Sequence, residues 1–339
     1  MRSNGESVMA WALAALWTAA VATAASDFAP ASASEQRQWA PFVLVATQRT
    51  GSRWIMETFK YQTCDIDPAD TEIFDDKTWC VDRNNDQHNQ RSSCVRNLTL
   101  MREGLAAVYD PARPVSRALQ ENPHYFGEVM RSRGKREPEA YGVKWMTNQG
   151  MDEIWSWFLE LAKARGIKLL FLHRRDYLRM AVSRLHMQDP TLVAHPHHEH
   201  DAQKIRDTPV TLPTGDRLIK LLDLTRNKFG VMNDYRAAAD AAGVLAKNLV
   251  YEDMGPEKFA STKRWLVKGL NLTASSCDPA SLRNESKSVV IHNAPIRTYV
   301  ANWAAVAATL RGTRYARFLQ DDARRLRSPP PPPRVVPAR

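Results

Sequence analysis

Nowhere in the 339 residues does a Gly-Lys-Ser or Gly-Lys-Thr tripeptide occur, so the chain has no Walker A loop for a nucleoside triphosphate. Its four cysteines, Cys64, Cys80, Cys94 and Cys277, show no C-x-x-C spacing, which disfavours zinc and thioredoxin-like redox chemistry. No internal repeat is visible. Lysine is missing from residues 311–339, where eight arginines face two acids, so this tail carries +6 of the net charge of +10. The remaining +4 is mild, and binding to nucleic acid does not follow from it. A basic pocket for an anionic substrate is compatible with it. Charge is also absent from residues 7–26, SVMAWALAALWTAAVATAAS.

That uncharged run is about as long as a bilayer is thick, though Ala-rich and only marginally hydrophobic. Ala22, Thr23 and Ala24 form an A-x-A cleavage pattern. A cleaved signal peptide and an uncleaved type II signal-anchor both fit residues 1–26, and both deliver the rest to the secretory lumen. Asn97, Asn271 and Asn284 each begin an N-glycosylation sequon. In an oxidising lumen an even number of cysteines is expected to pair, with three connectivities open. Residues 27–40 suit a short stem, and the Pro/Arg-rich residues 326–339 read as a disordered tail.

Apolar and charged fractions of 44% and 25% over the whole chain are those of an ordinary globular protein, and residues 41–325 are long enough for a substantial core. The stretch that organises them is 42–59, FVLVATQRTGSRWIMETF. Its first five residues form an apolar run without alternation, as in a strand buried on both faces of a parallel sheet. A turn of Thr47, Gln48, Arg49, Thr50, Gly51, Ser52 and Arg53 then opens an amphipathic segment. Strand, small-residue turn and helix start make an anion site, because free backbone N–H groups and the helix dipole face the turn.

Further strands are expected at 141–146, 167–172 and 248–251. Helices are expected over 101–120, 151–165, from 176 through 183, over 216–242, from Pro256, and over 299–325. Asn148 and Asp152 supply start signals for the 151–165 helix. Residues 61–97 read as a disulfide-pinned loop region and 188–214 as a loop or lid. The alternation of strands and helices predicts an α/β domain, P-loop-like and three-layered, with a central parallel sheet flanked by helices.

A second element of weight runs from Arg175 to Ser183, RDYLRMAVS. An arginine at a strand end and a serine eight residues on, inside a helix, can hold one phosphate through a guanidinium fork and a hydroxyl. The Arg49, Thr50, Gly51, Ser52 turn resembles the 5′-phosphosulfate loop of sulfotransferases, and the R-x7-S spacing resembles their 3′-phosphate motif. Tyr251, Glu252, Asp253 and Met254 are similar to a Y-E-D-L/M strand end of that family. Residues 141–149, YGVKWMTNQ, are similar to the G-F-K-x-M-x-x-Q stretch of its carbohydrate-type members.

By this resemblance the donor is 3′-phosphoadenosine 5′-phosphosulfate and the reaction is sulfuryl transfer to a hydroxyl or amine, with no metal. Arg49 takes the place of the catalytic Lys or Arg. Thr50, Gly51, Ser52, Arg53 and Trp54 line the cradle, and Arg175 and Ser183 fix the 3′-phosphate. Glu57 is the first candidate for the general base, with His124, His173 and His186 in reserve. Lys144 is a further candidate for contacting donor or acceptor. Arg174 is either a helper of the phosphate or a surface charge. The implied acceptor is a carbohydrate in the Golgi lumen, with membrane contact only through an N-terminal anchor. An ATP-dependent P-loop kinase and a non-catalytic secreted binding protein of the same fold are the alternatives. His195, His197, His198 and His200 sit in a Pro-containing run that reads as a solvated loop rather than a metal site.

Overall fold

The computed structural model describes residues 40–53, 55–56, 66–72, 80–82, 95–110, 113–120, 140–192, 199–254 and 294–320. The N-terminal apolar segment, residues 27–39 of the stem and the tail lie outside these, as do the helix expected from Pro256, Trp54, Glu57, His124, Cys64, Cys94, Cys277, Asn271, Asn284 and the histidines at 195, 197 and 198.

The described chain runs β1 (Ala40–Ala46), β2 (Ile66–Glu72), β3 (Cys80–Asp82), β4 (Val95–Arg96), α1 (Leu98–Tyr109), α2 (Arg117–Gln120), β5 (Ala140–Met146), α3 (Met151–Arg165) and β6 (Lys168–His173). It continues through α4 (Tyr177–His186), α5 (Glu199–Arg206), α6 (Asp216–Ala241), β7 (Ala246–Val250) and α7 (Trp303–Leu310). Five strands form one sheet in the order β2-β5-β1-β6-β7, and every pairing in it is parallel. This is the expected α/β arrangement.

β1 is the middle strand, and its alternation decides the layers. Val43 and Val45 face a cluster with Met101 and Leu105 of α1, Ile154 and Phe158 of α3, and Phe229 and Met232 of α6. Phe42, Leu44 and Ala46 face the opposite cluster with Ile55, Met56 and Met254. All five are fully buried, as a strand covered on both faces requires. Tyr109 ties α1 to the sheet by donating its hydroxyl to the Phe42 carbonyl at 2.7 Å. A third cluster joins Leu178 and Val182 of α4 to Leu218 and Leu222 of α6 and to Tyr299, Val306, Leu310 and Phe318.

Five expectations need correction. Residues 61–97 are not all loop: β2 adds an edge strand to the sheet, and β3 pairs antiparallel with β4. The sequence IDPADTE is polar and carries Pro68, which an edge strand tolerates because one side of its ladder needs no donor. Within 188–214, residues 199–206 form α5, a polar helix in which Ile205 is buried. The segment after it is strapped down. Val210 bridges Val300, and Asn302 accepts from the Leu212 amide at 3.1 Å while donating to its carbonyl at 2.8 Å. The 101–120 helix is split into α1 and α2, and the 299–325 helix is interrupted: α7 ends at Leu310, residues 317–320 are helical again, and 321–325 lie outside the described residues. There the chain leaves the helix at Arg311, whose backbone is extended, while Tyr315 and Phe318 stay buried. Finally, α3 is preceded by Gly150 and has no side-chain cap, although Asp152 does lie in its first turn.

β1 and β5 approach so closely that Gly142, the register partner of Phe42, has no room for a side chain. An added Cβ would lie 2.4 Å from the Phe42 ring. Gly142→Ala is therefore expected to cost about 1–3 kcal/mol by overpacking, with Phe42→Leu in the same chain recovering part of it. Urea midpoints of the two variants check this, and an unchanged midpoint for Gly142→Ala would contradict the packing described.

Candidate functional site

The connection leaving β1 runs toward β2 on one side, and that leaving β6 toward β7 on the other. Their carboxyl ends therefore flank the topological switch point, the crevice where open α/β sheets bind ligands. Four loops meet at this edge, and each is tied to its neighbour. The Thr147 amide donates to the Ala46 carbonyl at 2.9 Å, joining the loops after β5 and β1. Arg174, directly after β6, donates from Nη1 to the Arg49 carbonyl at 2.8 Å. The Arg174 guanidinium also lies 4.6 Å from the centre of the Tyr251 ring, at the end of β7. That ring packs on Gly51, where an added Cβ would lie 2.2 Å from Tyr251 Cε2.

The loop after β1 is thus held from three sides. Thr50 closes it locally, donating its hydroxyl to the Thr47 carbonyl at 2.8 Å, and the Ile55 amide reaches the Gly51 carbonyl at 3.1 Å as a helix begins at Ser52. Arg49 has φ 68° and Gly51 φ 86°. Arg49 is the one non-glycine residue with positive φ among the described residues. A left-handed L-residue costs about 1–2 kcal/mol, and here the turn aims the Arg49 carbonyl at Arg174. Thr50 and Ser52 are buried, while Arg49 and Arg53 are half-buried. Two buried donors at this edge, Thr47 Oγ1 and Arg174 Nε, have no partner among the described residues. This is unused hydrogen-bonding capacity beside the loop, of the kind a polar ligand draws on.

The 175–183 stretch sits at the start of α4. Asp176 caps the helix by accepting from the Arg179 amide at 3.0 Å, and its other oxygen lies 2.9 Å from Arg179 Nε. Glu252 accepts from the backbone amides of Arg175 and Asp176, each at 3.0 Å. The Arg175 side chain is exposed and paired with Asp253. Ser183 lies two turns into α4 and is half-buried. Arg175 and Ser183 share no hydrogen bond.

Arg174, beside the R-x7-S arginine, reads either as a phosphate helper or as a surface charge; it is only 8% exposed, so it is not a surface charge, and it fastens two loops together. Lys144 is buried on the Phe42 and Leu44 face of the sheet. Gln149 is a local staple: its side chain accepts from the Met146 amide at 3.1 Å, and its carbonyl accepts from Trp145 Nε1 at 3.1 Å. Trp145 and Trp155 are core residues, packed on each other and on Phe158, and so are not placed to stack on a sugar. No group of three or more potential metal ligands exists among the described residues. No helix among them is long and apolar enough to cross a membrane.

Burial disfavours the charged form of both His173 and His186. Burial pushes the His173 imidazole below its usual range, with Asn248 pulling the other way and Arg236 adding to the depression. Its ring packs on Phe229. Burial likewise lowers His186, against the opposing effects of Thr208 and Asp189; its Nε2 donates to the Thr208 carbonyl at 2.8 Å.

No family profile matches the chain, and neither does any curated protein sequence. Among solved structures, mouse sulfotransferase SULT7A1 complexed with PAP is similar over 84% of this chain and 90% of that one, at 11% identity and a TM-score of 0.32. A sulfotransferase from Alicyclobacillus acidocaldarius is similar over 73% of this chain and 87% of that one, at 13% identity and a TM-score of 0.31. Likenesses this loose decide nothing about the site. The fold rests on the strand order itself.

Two outcomes follow from the geometry. Arg174→Met keeps the volume but strands the Arg49 carbonyl, and should lower stability by about 1–2 kcal/mol, read from denaturant unfolding. Because both histidines titrate lower folded than unfolded, their contribution is present above the unfolded value near 6.5 and is lost as pH falls toward the folded values. The unfolding free energy should therefore decline from pH 7 to pH 5, and less steeply in His186→Gln. A slope that is flat, or identical in the variant, would contradict this.

Proposed function

We infer that this chain is a sulfotransferase that moves a sulfuryl group from 3′-phosphoadenosine 5′-phosphosulfate to a hydroxyl or amine, with a carbohydrate of the secretory lumen as acceptor. The observation that carries the reading is the Arg174 hydrogen bond to the Arg49 carbonyl. It draws together, at the switch point of a parallel sheet, two anion-binding stretches 125 residues apart. In this reading the Arg49, Thr50, Gly51, Ser52 and Arg53 loop receives the 5′-phosphosulfate, and Arg175 with Ser183 receives the 3′-phosphate. The acceptor oxygen attacks sulfur, the bond from sulfur to the 5′-phosphate oxygen breaks, and the bisphosphate leaves. Charge builds on the leaving oxygen, where the Arg49 guanidinium and the loop amides stabilise it. The proton of the acceptor passes to a base, for which Glu57 remains the candidate. The compartment follows from the uncharged N-terminal run, and a type II anchor or a cleaved signal serves equally.

Thermal-shift titration with 3′-phosphoadenosine 5′-phosphate tests the donor site. At about 100 times its dissociation constant the ligand should add roughly 2.7 kcal/mol, without metal, and Arg175→Ala and Ser183→Ala should each weaken the shift. A shift with magnesium ATP alone would favour a kinase and sink the reading. Arg49→Gly separates chemistry from folding. It keeps the left-handed backbone and removes the guanidinium, so transfer to a glycan acceptor should fall by about 10²–10³-fold while unfolding stays a single cooperative transition.

A further inference from the structure

We propose that Asp253 is a built-in competitor for Arg175, which loosens the hold of the site on a nucleotide 3′-phosphate and so assists release of the bisphosphate product. The proposal rests on the sulfotransferase reading and deepens it. Two adjacent acids at the end of β7 treat the start of α4 in opposite ways. Glu252 is a fixture: both of its oxygens lie 3.0 Å from the Arg175 amide, and one also lies 3.0 Å from the Asp176 amide. Those amides are ordinary anion donors at a helix start, and here a carboxylate of the chain already holds them. For a phosphate at this stretch the side-chain donors in the reading are the Arg175 guanidinium and the Ser183 hydroxyl, with the Arg317 guanidinium 3.4 Å from the Arg175 carbonyl beside them.

Asp253 sits on that guanidinium. Its Oδ2 accepts from Arg175 Nη2, and the two side chains are 42% and 58% exposed. A planar fork presents its donors in fixed directions, so a phosphate taking the Nη2 edge must replace the carboxylate or share the donor against its negative charge. An exposed pair is weak and yields to a dianion that offers three acceptor oxygens. A nucleotide with a 3′-hydroxyl has no such need, and leaves the pair intact. Donor and product carry the same 3′-phosphate, so the competitor weakens both. The benefit falls on product release, a step that limits many enzymes.

The test is calorimetric titration of the whole protein with 3′-phosphoadenosine 5′-phosphate and with AMP, in wild type, Asp253→Asn, Arg175→Ala and the double variant. Stopped-flow dissociation of the bisphosphate is measured beside it. Asp253→Asn should bind the bisphosphate about 2–5-fold tighter and release it correspondingly more slowly. AMP affinity should be unchanged, and the gain should vanish in the Arg175→Ala background. Equal gains for both nucleotides would mean a general field effect and overturn the competitor. So would an unchanged or weakened bisphosphate affinity, since Asp253 would then be idle or would orient Arg175 for binding. Wild-type protein that ignores the bisphosphate sinks the sulfotransferase reading and this proposal together, whereas wild-type binding without the Asp253→Asn gain sinks the competitor alone.

Discussion

Everything at the switch point depends on β1 being covered on both faces. Residues 42–46 are wholly buried, and a strand so placed can exchange ladder hydrogen bonds only within the sheet. Its carboxyl end must then emerge between its two neighbours, β5 and β6. The chain turns sharply there, because Ile55 and Met56 must come back over the Phe42 and Leu44 face. A loop that has to reverse within about five residues has few backbone solutions. Positive φ at Arg49 and Gly51 is the one taken, and the Tyr251 ring over Gly51 leaves no room for a side chain there. Burial of the strand, left-handed turn and close aromatic packing are successive consequences of one constraint.

Three arginines, Arg49, Arg174 and Arg175, crowd this edge, and the chain meets each differently. Arg174 gives its charge to a backbone carbonyl and an aromatic face, neither of which neutralises it. Arg175 meets a carboxylate, but in solvent, where such pairs are worth about 0–1 kcal/mol. The firmest acid contact, that of Glu252, goes to backbone amides rather than to a guanidinium. The Arg174 charge therefore meets no carboxylate among the described residues. An edge built only for folding would gain more from matched buried pairs or from apolar residues in their place.

The core of the sheet was legible because its strands are short apolar runs and α3 is strongly amphipathic; the bounds of α3 matched to the residue. What escaped was polar. β2 reads as loop because an edge strand needs little hydrophobicity, and α5 because a short surface helix buries almost nothing. At the site, the motif arginines stand out in the sequence by their spacing. Arg174 does not, since its role comes from reaching across 125 residues to a carbonyl, and nothing local in HRRD announces that. Nor does spacing reveal that the two acids after Tyr251 occupy the start of α4, because that contact is made by the fold.

The backbone of Arg49 is the one left-handed non-glycine conformation among the described residues. Glycine at φ 68° would avoid a penalty of about 1 kcal/mol, and the loop around it already accommodates Gly51. The Arg174 contact is made by the Arg49 carbonyl, which a glycine would offer equally well. What the strain retains is thus the Arg49 side chain, a positive charge on a loop braced by its neighbours. Strain held by an over-determined surrounding is characteristic of sites where charge has to be placed before the reaction begins. A sulfuryl group leaving a phosphate oxygen is a reaction of that kind.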